Sequence, residues 1–201
     1  VTLRQLVLWR HGETDFNAER RIQGQLDSKL TPHGLGQARR AAQSLAELAP
    51  AVLMTSDLSR AEDTAALLAA ETGIPLRADK RLRETNCGRW QGLTHAEVEI
   101  LCPGGIQTWR GNPRWAPPGG ETRVEVATRA AHVVAELDAD GAQSAVLCTH
   151  AGLIAGLTPL LLGLPVSGWP VFSGISNCHW TVLLRRGTGW RLFAYNSAAP
   201  L

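Results

Sequence analysis

Short apolar runs alternating with amphipathic stretches constrain this chain more than any other feature. Gln5 to Trp9, Ala51 to Met54, Pro75 to Ala78 and Ala145 to Thr149 read as strands, and the first, second and fourth are near-continuous apolar runs of the kind buried on both faces of a sheet. Between them lie helical patterns. Thr31-Pro32 supplies an N-cap followed by proline at the first helical position, opening an amphipathic stretch to Leu48. Leu58 to Thr72 carries Ala61, Ala65, Leu68 and Ala69 on one stripe and stops at Gly73; Glu121 to Leu137 and Gly152 to Leu162 follow the same logic. Thr94 and Glu97 form a capping box for a brief helix. Pro103 to Gly120, rich in Pro, Gly and Trp, is expected to be an irregular excursion, and Cys178–Leu184 with Trp190–Tyr195 an antiparallel pair across the turn at Arg186–Gly189. Strand alternating with helix predicts an α/β fold, a mostly parallel sheet between two helical layers, whose ligands gather at the carboxyl ends of the strands.

Composition narrows the function classes. With 201 residues, 44% hydrophobic and 19% charged, the chain is expected to form a single domain over 1–201. A formal charge of +2 argues against a nucleic-acid surface. Ala145 to Leu164 is largely apolar, but His150, Gly152, Gly156 and Pro159 divide it into strand, turn and helix, so no membrane span is expected. The start of the sequence enters a strand directly, so no signal peptide is expected. Cys87, Cys102, Cys148 and Cys178 lack metal-ligand or disulfide spacing and read as core residues of a reducing, cytoplasmic protein. Of the 20 basic residues only Lys29 and Lys80 are lysines, and Arg is the side chain that grips phosphate through two parallel hydrogen bonds.

The chemistry concentrates at strand ends. Arg10-His11-Gly12-Glu13 follows the first strand and His150-Ala151-Gly152 the fourth; Arg60 falls in the first turn of a helix after the second, and Arg83-Glu84 follows the third. A lone histidine is more often a hydrogen-bonded structural imidazole, but two at neighbouring strand ends would share one crevice. Two Arg, two His and a Glu at one sheet edge suit phosphoryl transfer. The guanidiniums would hold the phosphoryl oxygens, an imidazole would attack phosphorus, the helix start after His150 would add an anion site, and Glu84 would protonate the leaving oxygen. A His/His/Glu metal site is the alternative; two flanking Arg cations weigh against it, so no metal or other cofactor is expected.

The run Leu8-Trp9-Arg10-His11-Gly12-Glu13-Thr14, with Asn17 and Gln23-Gly24, resembles the signature of the histidine phosphatase superfamily, in its phosphoglycerate-mutase-like branch. The resemblance continues in order through Thr31-Pro32-His33-Gly34, Ser56-Asp57-Leu58-Ser59-Arg60-Ala61, Leu82-Arg83-Glu84, Trp90-Gln91-Gly92, Gly119-Gly120-Glu121-Thr122 and Thr149-His150-Ala151-Gly152. It implies the three-layer α/β/α sandwich of that family, His11 as the residue that becomes phosphohistidine, a phosphate pocket of Arg10, Arg60 and His150, and Glu84 as proton donor. Asn17 and Gln23 would contact or support the phosphate, and Gly24, Ala151 and Gly152 would line the pocket. Trp9 stands where a small aliphatic is usual and Ala151 where glycine is common. The resemblance also makes a homodimer the assembly to look for.

The stretch from Glu84 to His150 lacks the insertion of the branch's mutases, which favours hydrolysis. Leu82-Arg83-Glu84-Thr85, Trp90 to His95 and Trp115-Ala116-Pro117 resemble members that act on phosphorylated sugar acids, so a small phosphorylated substrate of that class is expected; a broad phosphatase, a mutase and a non-catalytic scaffold are the alternatives. Trp109, Trp115 and Trp169 fall in loops near the expected pocket, where an indole serves packing or a sugar face equally. His33, His95, His132 and His179 read as structural or exposed, and Arg185-Arg186 as solvated.

Overall fold

The parallel ladder between the first and fourth strands is the centre of the molecule. The computed structural model describes residues 2–200. In chain order its elements are β1 (Gln5–Arg10), α1 (Asp15–Ala18), α2 (Pro32–Ala46), β2 (Val52–Thr55), α3 (Ser59–Thr72), β3 (Leu76–Ala78), α4 (His95–Leu101), α5 (Gly105–Gly111), α6 (Arg123–Ala139), β4 (Ser144–Thr149), α7 (Ala151–Leu161), β5 (Trp180–Arg186) and β6 (Gly189–Ser197). The strands form one sheet in the order β3-β2-β4-β1-β5-β6. The first four are parallel, and β5 runs antiparallel to both β1 and β6.

Alternation along β1 builds two cores. Leu6 and Leu8 face one way and join Leu147, Val126, Val133, Leu153 and Leu157 beneath α6 and α7. Val7 and Trp9 face the other way and join Val146, Ala38, Ala42, Ala61, Ala65 and Leu68 beneath α2 and α3. Successive strand residues point to opposite faces, so both sets are covered only if helices lie on both sides. This is the three-layer α/β/α sandwich. Alanine dominates the α2/α3 stripe, and its small side chains leave room for Trp9, fully buried where the resembled family usually has a small aliphatic.

Helix starts follow the caps read from sequence at Thr31 and Thr94, and the helix expected from Glu121 starts on a third cap, Thr122. Thr31, Thr94 and Thr122 each accept a hydrogen bond from the third helical residue, and Thr94 and Thr122 complete their boxes through Glu97 and Glu125. Gly73 ends α3 at φ 72°, a left-handed conformation that costs glycine nothing.

Four expectations need correction. The stretch from Pro103 to Gly120 is not wholly irregular, because Gly105–Gly111 forms α5. Its Ile106 packs with Ile22, Cys87, Trp90 and Val98 in a third, smaller cluster. Asp15–Ala18 forms a short helix that strand-and-stripe reasoning missed, with Thr14 and Asn17 as its capping box. Trp169 does not approach the pocket; it is buried, and its Nε1 donates to the Leu164 carbonyl at 3.1 Å. Arg185 is not solvated: its guanidinium lies 4.3 Å from the Trp190 ring centroid and its Nη2 donates to Asp138.

Candidate active site

Ladder register brings the two histidines together. Arg10 pairs with Thr149, so the next residue on each strand, His11 and His150, emerges at the same level of adjacent strands. The His11 N–H donates to the Thr149 carbonyl at 3.0 Å, and the ring centroids stand 5.1 Å apart. From this point β1 leads to α2 on one face and β4 to α7 on the other, which opens the crevice typical of a switch in sheet winding.

Both imidazoles are buried, at 3% and 0% exposure. His11 Nδ1 lies 2.7 Å from the Gly12 carbonyl oxygen. A carbonyl only accepts, so Nδ1 carries the proton and Nε2 keeps a free lone pair. Burial, then the charges of Arg60 and Arg10, push the His11 pKa well below its ordinary 6.5. His150 is depressed likewise, by burial and then by Arg60, and neither of its ring nitrogens has a hydrogen-bond partner. A buried polar pair left unsatisfied marks a place where a ligand belongs.

The arginines reach the pocket anchored at one end. Arg10 closes β1 and donates through Nη1 to the Ile175 carbonyl at 2.6 Å. Arg60, in the first turn of α3 and 1% exposed, donates to the Leu26 and Gly24 carbonyls, each at 2.8 Å. Burial lowers its pKa to about 10, which leaves it cationic at neutral pH. The Nε of each arginine is buried without a partner.

Glu84 meets them from the segment after β3. Thr149 Oγ1 donates to the Leu82 carbonyl, fastening that segment to the end of β4. The Glu84 carboxylate accepts from the Thr85 N–H at 2.7 Å and the Gly152 N–H at 3.0 Å. Gly152 is needed for this contact, because a Cβ there would lie 2.5 Å from Glu84 Oε1. Asn17 Oδ1 accepts from Asn177 Nδ2, and Gln23 Oε1 accepts from Ser28 and Thr14, so both amides have their oxygens occupied and keep NH2 groups for an anion.

A cavity of about 520 Å³ opens over this set. Arg10, His11, Asn17, Gln23, Gly24, Arg60, Glu84, Ala151 and Gly152 all line it; His150 lies behind His11, off the cavity surface. Four further arginines line it, Arg20, Arg21, Arg110 and Arg123, and they carried no signal in the sequence beyond arginine abundance. His95, expected to be merely structural or exposed, also lines it, as does Trp109, whose ring packs edge-on to Trp90 at 5.9 Å. Trp115 packs on the same Trp90 at 5.5 Å and is not among the lining residues. Among the described residues no helix is long and apolar enough to cross a membrane.

Known proteins share this arrangement. Residues 6–198 match the family model described as "Histidine phosphatase superfamily (branch 1)". A glucosyl-3-phosphoglycerate phosphatase of Mycolicibacterium vanbaalenii is 45% identical over 100% of this chain and 98% of its own length. A mycobacterial glucosyl-3-phosphoglycerate phosphatase solved in complex with VO3 superposes with a TM-score of 0.94 at 46% identity, over 97% of this chain and 100% of that one. At greater distance, a phosphoglycerate mutase-like protein of Arabidopsis thaliana is 35% identical over 78% of this chain and 70% of its own. The paired strand-end histidines therefore have a lineage: this chain belongs to the histidine phosphatase superfamily, branch 1.

Proposed function

We propose that this chain is a phosphomonoesterase for a phosphorylated sugar acid, of which glucosyl-3-phosphoglycerate is the leading candidate, and that it works through a phosphohistidine on His11. One observation carries the chemistry. The His11 tautomer fixed by Gly12 presents an unprotonated Nε2 in a buried site between two arginines.

The reaction runs in two displacements. The Nε2 lone pair forms a bond to phosphorus while the ester P–O bond breaks, and Glu84 gives its proton to the departing alkoxide. Arg10 and Arg60 offset the charge spreading over the phosphoryl oxygens, and their unpaired Nε–H groups are free to donate to it. The amides of Asn17 and Gln23 complete the ring of donors, and His150 backs the His11 ring. Water then attacks phosphorus, Glu84 takes up its proton, the N–P bond breaks, and His11 and inorganic phosphate are released. Guanidinium groups fill the electrostatic role that a metal plays elsewhere, so chelators are expected to leave the rate unchanged.

The substrate class rests on the relatives' names and on a pocket with cations beyond those a phosphate occupies. The four thiols, all unpaired and three of them buried, suit the proposed cytoplasmic setting. The test of the chemistry is His11→Ala. Turnover of glucosyl-3-phosphoglycerate should fall by about 10⁴-fold or more with the fold intact, and 32P label that survives an alkaline quench and is lost in acid should appear on wild type alone. Full activity in the variant would end the proposal, and turnover that requires a bisphosphoglycerate primer would replace hydrolysis with mutase chemistry.

A further inference from the structure

Three arginines on the cavity wall have a buried nitrogen without a partner: Arg10, Arg60 and Arg123. The first two flank the histidines and are occupied by the phosphoryl group in the reading above, on which this inference rests. Arg123 is left over. It is the first residue of α6, its Nη1 is the unpartnered atom, and among the described residues its guanidinium makes one long hydrogen bond, 3.5 Å from Nη2 to the Arg110 carbonyl.

Its position differs from that of the other two. The charges of Arg10 and Arg60 act on both His11 and His150, whereas Arg123 is not among the charges that shift either imidazole. Glu84 and Tyr195 are the groups that hold its proton, against the pull of burial. Arg123 lies against α7 at Gly156, one turn beyond Gly152, whose N–H holds the Glu84 carboxylate, so it stands past the acid. Its stem is built into the fold, because α7 carries a glycine where it passes: a Cβ on Gly156 would lie 2.9 Å from Arg123 Cγ. A cavity-lining guanidinium with its stem fixed and an unsatisfied N–H is prepared for an anion.

We infer that Arg123 is a specificity-determining residue that binds a carboxylate on the alcohol portion of the substrate, next to the ester oxygen that Glu84 protonates. A sugar acid phosphorylated beside its carboxyl group presents two anions a few bonds apart, one for the Arg10/Arg60 pocket and one for Arg123. A phosphate ester of a neutral alcohol fills only the first.

The test uses a matched pair of small esters, 3-phosphoglycerate and glycerol 3-phosphate, which differ in a carboxylate against a hydroxymethyl group. Arg123→Met should raise KM for the acid by about 10- to 100-fold, the span of a lost charge-assisted hydrogen bond, and leave KM for the alcohol within about twofold. Arg123→Lys should restore part of the preference. Calorimetric binding of both ligands to the His11→Ala protein, with and without Arg123→Met, repeats the comparison without turnover. Loss of acid binding there supports the inference even if the catalytic reading fails. An equal fall in kcat for both esters would make Arg123 an electrostatic prop for Glu84 and overturn the inference, as would a wild type that does not distinguish the two ligands.

Discussion

The floor and the wall of the cavity are built by different physics. The floor is Arg10, His11 and Glu84 with His150 behind them, held by a parallel ladder, by Thr149 Oγ1 on the Leu82 carbonyl and by two backbone N–H groups on the Glu84 carboxylate. It is over-determined. The wall comes from the segment after β3 and from α4 and α5, short helices on a small cluster around Trp90, Val98 and Ile106. Several wall residues, His95 and Arg110 among them, are exposed. In the proposed reading the floor sets the reaction and has little room for displacement, whereas the wall sets what enters and can be re-tailored at lower cost. That division explains how one family accommodates phosphatases and a mutase-like protein.

The sharpest way to break this contrast is Gly152→Ala, a single methyl added to the floor. The new Cβ would crowd Glu84 Oε1, so kcat should fall by about 100-fold with a smaller change in KM, read from steady-state kinetics on p-nitrophenyl phosphate and a sugar-acid ester alike. A variant of wild-type activity would show that the floor can give way after all. Trp109→Ala probes the wall. KM for a glycosylated ester should rise by about 3- to 10-fold, while kcat on p-nitrophenyl phosphate stays within twofold. Equal losses on both substrates would mean that wall and floor are one mechanical unit.

The smallest effect is a flat stretch in a pH profile. An exposed imidazole of pKa 6.5 would lose about threefold of its neutral form between pH 7 and pH 6. His11 is depressed well below that value by burial and the two arginines, so the acid limb of kcat/KM should lie lower and the change across that interval stay under about 1.5-fold. Stability follows the same sign. Both histidines are neutral when folded and take up protons near 6.5 when unfolded. Their contribution is therefore fully present above pH 6.5 and is lost as the pH falls from there toward the folded values, which thermal denaturation at stepped pH would register.

Much of the floor was legible in the sequence and little of the wall. Buried strands advertise themselves by continuous apolar runs, and a charged residue directly after such a run has one place to go, the sheet's end; that reasoning found Arg10, His11 and His150. Caps are equally local, and Thr31-Pro32 and Thr94 each open the helix they promised. The wall depends on contacts between distant segments. Arg123 is an ordinary first-turn residue until the passing of α7 at Gly156 turns it toward the cavity. Helix α5 hid inside a stretch of Pro, Gly and Trp because its burial comes from Trp90 and Val98 rather than from its own periodicity. Asn177, which donates to both the His11 carbonyl and Asn17 from the far end of the chain, offered no pattern to read.

The ladder between β1 and β4 joins the first residues of the sheet to some of the last before α7. During synthesis on a ribosome, His11 emerges first and waits for its neighbour until every helix from α1 to α6 has been made. An unfinished copy, or one cut short by proteolysis before Thr149, has no crevice at all, so the machinery for breaking esters is withheld from every incomplete molecule.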